Sequence, residues 1–310
     1  MDDKAPRSKV ISMNEDIGTL IRRGFETWRG NLNLAVPFVL MIVAIMVLGV
    51  AMVFAAMYPL TTTSPELLST AGDLEDPEEL VNLLQGASGL GLAAAIILIG
   101  ILAMVLAGTF FTAGAIGMAK EATVSGKTGL REMWASGRRH FISLFLAEVV
   151  MMVVILAGVL LLTLPFLSGL TGALEASEPE LGTLVLWGVL LIAFSLFVSI
   201  LLAMVPYALV VEGLGPVAAI KVGVGFFRSN KMEVFLMWVV VMAVSVAIQF
   251  LAAPFSGSEA ASAVVSSLSG IVSILIISPL STVWWTRLYM TRSGKMPEVG
   301  ALQDEGVKYL

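Results

Sequence analysis

The chain has 310 residues, of which 58% are hydrophobic and only 13% are charged, and its formal net charge is −5. Soluble domains usually carry about a quarter charged residues, so this composition excludes an ordinary water-soluble protein and predicts an integral membrane protein. The sequence contains no cysteine, which excludes disulfide bonds and thiolate metal sites and leaves the redox compartment undetermined.

Six apolar segments are long enough to cross a bilayer as helices, which takes roughly 20 residues for about 30 Å of hydrocarbon. These segments cover residues 33–58, 89–119, 141–171, 181–211, 232–255 and 260–291. They lack the alternation of polar and apolar residues that the wall of a transmembrane barrel requires. The predicted fold class is therefore all-α, a polytopic integral membrane protein with six transmembrane helices arranged as three hairpins.

The spans divide the chain into three parts. We expect a cytoplasmic N-terminus with an amphipathic helix at 1–32, a six-helix membrane domain at 33–291 and a cytoplasmic tail at 292–310. All 18 Lys and Arg lie before the first span, at 120–139, at 221–231 or from residue 287 onward. By the positive-inside rule, both termini lie in the cytoplasm. Because topology explains the basic residues, no nucleic-acid partner is expected.

One pattern occurs three times, each time before an apolar segment. It reads apolar, basic, two spacers, apolar, three spacers, Arg, one spacer, and Asn or His. The three copies are Ile21, Arg22, Phe25, Arg29, Asn31; Leu130, Arg131, Trp134, Arg138, His140; and Ile220, Lys221, Val224, Arg228, Asn230. The copies are offset by 109 and then 90 residues. This spacing predicts a unit of one cytoplasmic amphipathic helix plus one helical hairpin, used three times.

The first copy belongs to a predicted amphipathic helix whose start is capped by Ser12 with Glu15, or by Asn14. Its apolar face is expected to consist of Ile17, Ile21, Phe25 and Trp28. Such a helix either packs on the cytoplasmic ends of the spans, which we favour, or contacts lipid or a partner protein.

Two polar residues inside the spans define a candidate intramembrane site. Glu148 lies about two helical turns inside the third span, and Gln249 lies in the fifth. A buried carboxylate is costly unless it is paired or protonated, so intramembrane acids often mark a site or a pathway. Glu148 is also compatible with a cytoplasmic vestibule or an ion pair to an arginine of the repeated pattern, and Gln249 with a hydrogen bond across helices.

Proline inside a helix removes a hydrogen bond and bends the axis, so Pro206 and Pro279 are candidate kinks in the fourth and sixth spans. Bent helices either line a cavity or fit a crowded bundle. Four serines of the sixth span recur at helical spacing and are predicted to be helix contacts: Ser262, Ser266, Ser269 and Ser273. An aromatic and basic belt at the cytoplasmic boundary is expected from Trp284, Trp285, Arg287 and Tyr289.

The sequence shows no arrangement typical of catalysis. It contains no glycine-rich phosphate loop, no paired-histidine zinc helix, no nucleophile elbow and no dinucleotide fingerprint. His140 is the only histidine, and an interfacial hydrogen bond is a more economical role for it than metal binding or proton transfer. We therefore predict no catalytic residue, no cofactor and no metal site, and a protein that is not an enzyme.

Two further motifs carry a resemblance to known families. They are the glycine-rich run in the second span and the sequence before the fifth, Gly114-Ala115-Ile116-Gly117-Met118-Ala119-Lys120 and Phe227-Arg228-Ser229-Asn230. Together with the six spans, over about residues 15–292, they resemble a group of prokaryotic membrane families. That group includes the membrane domain attached to some glycerophosphodiester phosphodiesterases and stand-alone proteins of the YciC type. Hydrolase activity there belongs to a separate soluble domain, so the resemblance implies a membrane module tied to lipid or envelope metabolism and carries over no catalytic residue.

Two functions fit these patterns. The first is a non-enzymatic scaffold or accessory protein of a prokaryotic plasma membrane. Its three surface helices would contact membrane lipids and a membrane or cytoplasmic protein partner, and a homo-oligomer is compatible with it. The alternative is a small transporter or lipid-translocating protein with a polar site around Glu148, based on Glu148, Gln249, Pro206 and Pro279.

Overall fold

A computed structural model describes residues 15–63, 89–166, 181–252 and 259–296. Within these ranges the chain is helical, with short connections and no strand. The α-helices are α1 Ile17–Gly30, α2 Val36–Thr63, α3 Leu90–Ser125, α4 Leu130–Thr163, α5 Leu181–Leu202, α6 Val205–Glu212, α7 Pro216–Ser229, α8 Lys231–Ala252, α9 Glu259–Val272 and α10 Ser278–Arg292. Two 3₁₀ turns, Leu32–Ala35 and Leu164–Phe166, extend α2 and α4, and a π-helical turn, Ser273–Ile277, joins α9 to α10.

Six stretches of described helix are long and apolar enough to cross a membrane: Leu32–Pro59, Leu90–Ser125, Leu130–Phe166, Val185–Glu212, Lys231–Phe250 and Val265–Arg292. Large apolar side chains along them are exposed, among them Phe54 at 72% and Leu98 at 69%. A surface of this kind suits lipid rather than water. The prediction of an all-α chain with six membrane-compatible helices is confirmed.

The helices extend beyond the apolar segments at two places. α3 continues past Ala119 to Ser125 and ends at Gly126, whose φ of 78° is the left-handed conformation that favours glycine. α4 begins at Leu130 and runs unbroken through His140 into the third span. The second copy of the repeated pattern is therefore the first part of a spanning helix and not a separate helix.

Small residues let α3 and α4 pack closely. A side chain at Gly117 would overlap Ser136, and one at Gly114 would lie 2.8 Å from Met133. Ser136 Oγ donates a hydrogen bond to the Ala113 carbonyl oxygen at 2.9 Å. In lipid there is no hydrophobic driving force for helix association, so close backbone approach and such hydrogen bonds supply much of the attraction between helices.

The main hydrophobic core lies around α10. Trp284 and Trp285 are 5% and 8% exposed, and Tyr289 is fully buried. Around them pack Leu20 of α1 and Met237 of α8, together with residues of α6 and α7. The expected aromatic and basic belt of Trp284, Trp285, Arg287 and Tyr289 is therefore wrong. α10 is enclosed by other helices, and an aromatic stretch looks the same in sequence whether it lines an interface or fills a core.

Candidate functional site

The described chain concentrates its ion pairs where the N-terminal segment meets α10. Arg287 Nε donates to Glu15 Oε2 at 3.1 Å, and Arg287 Nη2 donates to Glu15 Oε1 at 2.9 Å. The two side chains are only 8% and 7% exposed. Arg23 pairs with the same carboxylate, and Arg292 donates to the Glu15 backbone carbonyl at 3.0 Å. We call Glu15, Arg23, Arg287 and Arg292 the Glu15 cluster.

The charges of this cluster determine the state of Glu15. Burial alone would raise the pKa of the Glu15 carboxyl, but the hydrogen bonds and charges of Arg287 and Arg23 outweigh burial and hold the pKa below its ordinary value. The carboxylate is therefore ionised at neutral pH. A forked, nearly buried arginine–carboxylate pair fixes α1 against α10 in one orientation.

A second group of polar contacts ties α6 and α8 to the same end of α10. Tyr289 Oη donates to Glu212 Oε1 at 2.6 Å, and Lys295 Nζ lies 3.9 Å from Glu212 Oε2. Arg292 Nε lies 3.7 Å from Glu233 Oε1 at the start of α8. The predicted cytoplasmic end of the bundle is thus fixed by charges as well as by packing.

Sequence reasoning missed both groups. Glu15 was expected to serve a helix cap; instead Asp16 is the N-cap of α1, with Oδ2 accepting from the Thr19 N–H at 3.4 Å. The other expected caps, Ser12 and Asn14, lie outside the described residues. One signal was available: Glu15, Glu212 and Glu233 are acids on the predicted cytoplasmic side, where all the basic residues are also predicted to lie.

The asparagines of the first and third copies cap helices in the same way. Asn31 follows the 14-residue α1, and Asn230 follows the 14-residue α7. Each side-chain Nδ2 donates to the carbonyl four residues earlier, Thr27 at 2.9 Å and Phe226 at 3.0 Å. Each thereby satisfies a carbonyl at the helix end just before the chain enters the next span.

Asn31 also holds the connection between α3 and α4. Its Nδ2 donates to the Gly126 carbonyl at 2.9 Å, and its Oδ1 accepts from the Thr128 N–H at 3.1 Å. His140 occupies the corresponding position of the second copy, but it lies within continuous α4 and is 9% exposed. Unlike the asparagine side chains, the His140 imidazole makes no hydrogen bond to any described residue, so the hydrogen bond predicted for it is not seen within the described part of the chain.

The buried face of the repeated segments is offset by one residue from the expected apolar face. In α1 the buried residues are Leu20 and Gly24, while Phe25 is 44% exposed and Ile21 and Trp28 are half-buried. Gly24 lies against the Trp284 indole, which a side chain at residue 24 would overlap. The small residue lets α1 approach α10, and the large apolar residues remain at the edge of the contact.

The same offset occurs in the other two copies. Gly223 of α7 packs on the backbone of Val205, and Met133 of α4 is 3% exposed. Leu130 and Trp134, which the pattern placed on the apolar face, are 51% and 54% exposed.

The basic residues of the repeated pattern project outward. All six are exposed: Arg22, Arg29, Arg131, Arg138, Lys221 and Arg228. Arg22 lies 4.0 Å from Glu26 in an exposed pair, and the other five form no ion pair with a described residue. These residues are therefore available to groups outside the described chain.

A groove of about 600 Å³ lies beside the second copy and is lined by Arg131, Trp134, Ala135, Arg138 and Arg139. The Trp134 ring packs edge-on against Phe110 of α3, with ring centroids 5.0 Å apart. This groove combines an aromatic wall with three guanidinium groups. We call it the α4 groove.

The two residues of the expected intramembrane site are arranged differently. Gln249 is exposed and lines a second groove of about 420 Å³ between α8 and α9. The serines that were predicted as helix contacts, Ser262, Ser266, Ser269 and Ser273, line it too. Glu148 lies half-buried on α4 and does not line this groove, and its carboxyl group forms no ion pair or hydrogen bond with a described residue.

Both candidate kink prolines lie just after an interruption of their spans. The fourth span breaks at Ala203–Met204, and Pro206 stands in the first turn of α6, where a missing N–H costs little. Pro279 stands in the first turn of α10, directly after the π-helical turn, in which the Ser278 N–H bonds to the Ser273 carbonyl.

A family model described as a domain of unknown function, DUF7847, matches residues 78–291, more than two thirds of the chain. The chain belongs to the DUF7847 family. A relative from Archaeoglobus fulgidus, described as an uncharacterized protein, is 27% identical over 298 residues, which are 91% of this chain and 97% of the relative. No solved structure matches the chain. The DUF7847 match includes the α4 groove, Glu212 and Arg287, and it begins after Glu15 and α1.

Proposed function

We propose that this DUF7847 protein is a non-enzymatic module of a prokaryotic plasma membrane that acts as a scaffold or accessory protein. Its six long helices form three hairpins, both termini lie in the cytoplasm, and the three copies of the repeated pattern rest on the inner leaflet. Their exposed faces contact anionic lipid and a protein partner. The resemblance to the phosphodiesterase-associated membrane domains supports a role in lipid or envelope homeostasis.

One observation carries this proposal. In all three copies a buried face anchors the segment to the bundle, while Arg29, Arg138 and Arg228 remain exposed. Exposed large apolar residues, Phe25 and Trp134 among them, accompany the arginines. Amphipathic segments with this composition bind at the membrane interface, where the apolar side chains enter the headgroup region and the cations attract anionic groups.

The Glu15 cluster supports a scaffold role in a second way. Because Arg287 and Glu15 are nearly buried and paired, α1 is held rigidly on α10. A rigid platform presents its outward face in one orientation, which lowers the entropic cost of binding a partner.

The test is the triple variant Arg29→Ala, Arg138→Ala, Arg228→Ala, studied by crosslinking in native membranes to photoactivatable anionic lipid and to proteins. We expect both crosslinking profiles to change, because the variant loses one exposed guanidinium from each copy. The matched control replaces the same three arginines with lysine, which keeps the charge and should retain most of the lipid crosslinking. Profiles that are unchanged in the alanine variant would contradict the proposal.

The groove at Gln249 favours a second candidate, a small transporter or lipid-translocating protein. Its polar lining of serines and one glutamine contrasts with the apolar surface of the spans, and a π-helical turn, a feature frequent at functional sites, lies beside it. The polar site of this candidate is centred on Gln249 rather than on Glu148. If the groove is part of a transport pathway, a cysteine introduced at Ser266 should react with impermeant reagents added on the cytoplasmic side. A groove that is open only to the exterior would react only with reagents added outside, and that result would not favour transport.

A further inference from the structure

The α4 groove is an open depression that one face of α4 provides. Its lining residues, Arg131, Trp134, Ala135, Arg138 and Arg139, follow the spacing i, i+3, i+4, i+7, i+8 that places them on one face of a helix.

Packing against α3 fixes the groove's aromatic wall. Gly137 has no side chain, so the Phe110 ring approaches α4 to within 2.9 Å of where a Cβ at residue 137 would be. Phe110 in turn packs edge-on against Trp134, with centroids 5.0 Å apart, and contacts Phe141 at 6.1 Å. Trp134 therefore has a defined place although it is 54% exposed.

The three guanidinium groups of the groove have no counter-charge in the described chain. The side chains of Arg131, Arg138 and Arg139 form no ion pair and no hydrogen bond with described residues. The nearest acid in sequence, Glu132, projects toward α3, with Oε1 3.8 Å from the position of a Cβ at Gly117. By contrast, Arg287 of the Glu15 cluster is bound to a carboxylate. An occupant that is itself an anion, with oxygens that accept forked donors, complements the groove.

The surface of α4 beyond the groove indicates which anion this is. The arginine face continues along the helix into the exposed apolar side chains of Ile142, Leu146 and Val149, which are 57%, 45% and 37% exposed. Trp134 is exposed beside the arginines, and tryptophan is a residue type enriched at the level of the lipid headgroups. A charged surface followed along the helix by an apolar one matches a molecule with an anionic head and hydrocarbon tails.

We propose that the α4 groove binds the phosphate of an anionic lipid in the inner leaflet, with the acyl chains lying along Ile142, Leu146 and Val149. This inference rests on the proposed function, because it requires the start of α4 to face the inner leaflet. It adds a discrete lipid site to what would otherwise be diffuse attraction by exposed cations.

The test is native mass spectrometry of the purified full-length chain with dioleoyl phosphatidylglycerol, compared with dioleoyl phosphatidylcholine. We expect preferential retention of one phosphatidylglycerol molecule. The triple variant Arg131→Gln, Arg138→Gln, Arg139→Gln should weaken this binding at least about tenfold, since each basic residue near an anionic surface contributes a factor of about five. If the triple variant does not fold, Arg138→Gln alone should weaken binding about fivefold.

The control removes two exposed cations outside both the groove and the repeated pattern, by Lys127→Gln and Lys231→Gln, and it should retain phosphatidylglycerol as the natural chain does. Equal losses in the groove and control variants would overturn the discrete site in favour of diffuse attraction and leave the proposed function standing. Retention that is the same in all variants would also overturn it. Displacement of the lipid by millimolar inorganic phosphate would overturn the assignment to a lipid. Crosslinking of the double variant Arg29→Ala, Arg228→Ala, which leaves the α4 groove intact, tests the proposed function separately.

Discussion

At the residue scale, Glu15 makes a nearly buried ion pair that joins the start of α1 to α10. Its replacement by glutamine leaves Arg287 nearly buried without its counter-charge. Removing one partner of such a pair usually costs more than the pair itself contributes, so we expect Glu15→Gln to lower the free energy of unfolding by roughly 3 kcal/mol. Unfolding in detergent, followed by circular dichroism, measures this change.

Two comparisons and a pH series sharpen this prediction. Glu26→Gln breaks only the exposed pair with Arg22 and should cost less than about 1 kcal/mol. Glu15→Gln combined with Arg287→Gln should recover much of the loss.

Because the folded pKa of Glu15 lies below its unfolded value, the contribution is complete above the unfolded pKa and disappears as pH falls through the folded pKa. The difference in the free energy of unfolding between the natural chain and Glu15→Gln should therefore stay constant between pH 8 and pH 6. A difference that shrinks over this range would contradict the assignment.

The residues of the Glu15 cluster could not be paired from sequence because Glu15 and Arg287 lie 272 positions apart. Local patterns report on neighbouring turns, and Glu15 alone suggests a helix cap as readily as an ion pair. The basic residues of the repeated pattern were recognised individually, since their spacing is local. The groove that Arg131 and Arg138 form with Trp134 depends on Phe110 and Gly137, whose approach is a property of two packed helices.

At the scale of single helices, two glycines of α7 allow the effect of close packing on stability to be measured apart from the effect of helix propensity. An ideal Cβ at Gly223 lies 2.9 Å from the backbone of Val205, which has no flexible end to move aside. Gly223→Ala should therefore destabilise the chain by roughly 1–3 kcal/mol. A Cβ at Gly225, on the same helix, meets nothing within 4 Å. Gly225→Ala should instead stabilise by up to about 1 kcal/mol, because alanine is the better helix former. Thermal unfolding of the two variants side by side gives the comparison, and equal effects would show that α7 does not pack closely on α6.

The helix elements show what the hydrophobic pattern predicts and what it leaves out. It predicted six long apolar helices, because a single segment can satisfy its own backbone within lipid only as a helix, and the described chain has six helices of that kind. It misplaced the inner face of α1 by one residue, because it ranks large apolar residues as buried, whereas Gly24 allows the closer contact with Trp284. Hydrophobicity also gave no sign that α4 would continue unbroken through His140, since helix ends depend on capping residues, and only the first and third copies carry asparagine there.

At the scale of the whole molecule, α1, the start of α4 and α7 must all lie on one side of the membrane if the three copies rest on the inner leaflet. The natural chain has no cysteine, so single introduced cysteines report their own accessibility without background. Suitable exposed positions are Gly30→Cys, Ala135→Cys and Ser229→Cys, and the reference on the opposite side is Glu175→Cys in the acidic connection between the third and fourth spans. In intact cells a membrane-impermeant maleimide should label Glu175→Cys alone, and in inverted membrane vesicles it should label the other three. Labelling of residue 30, 135 or 229 in intact cells would contradict the account.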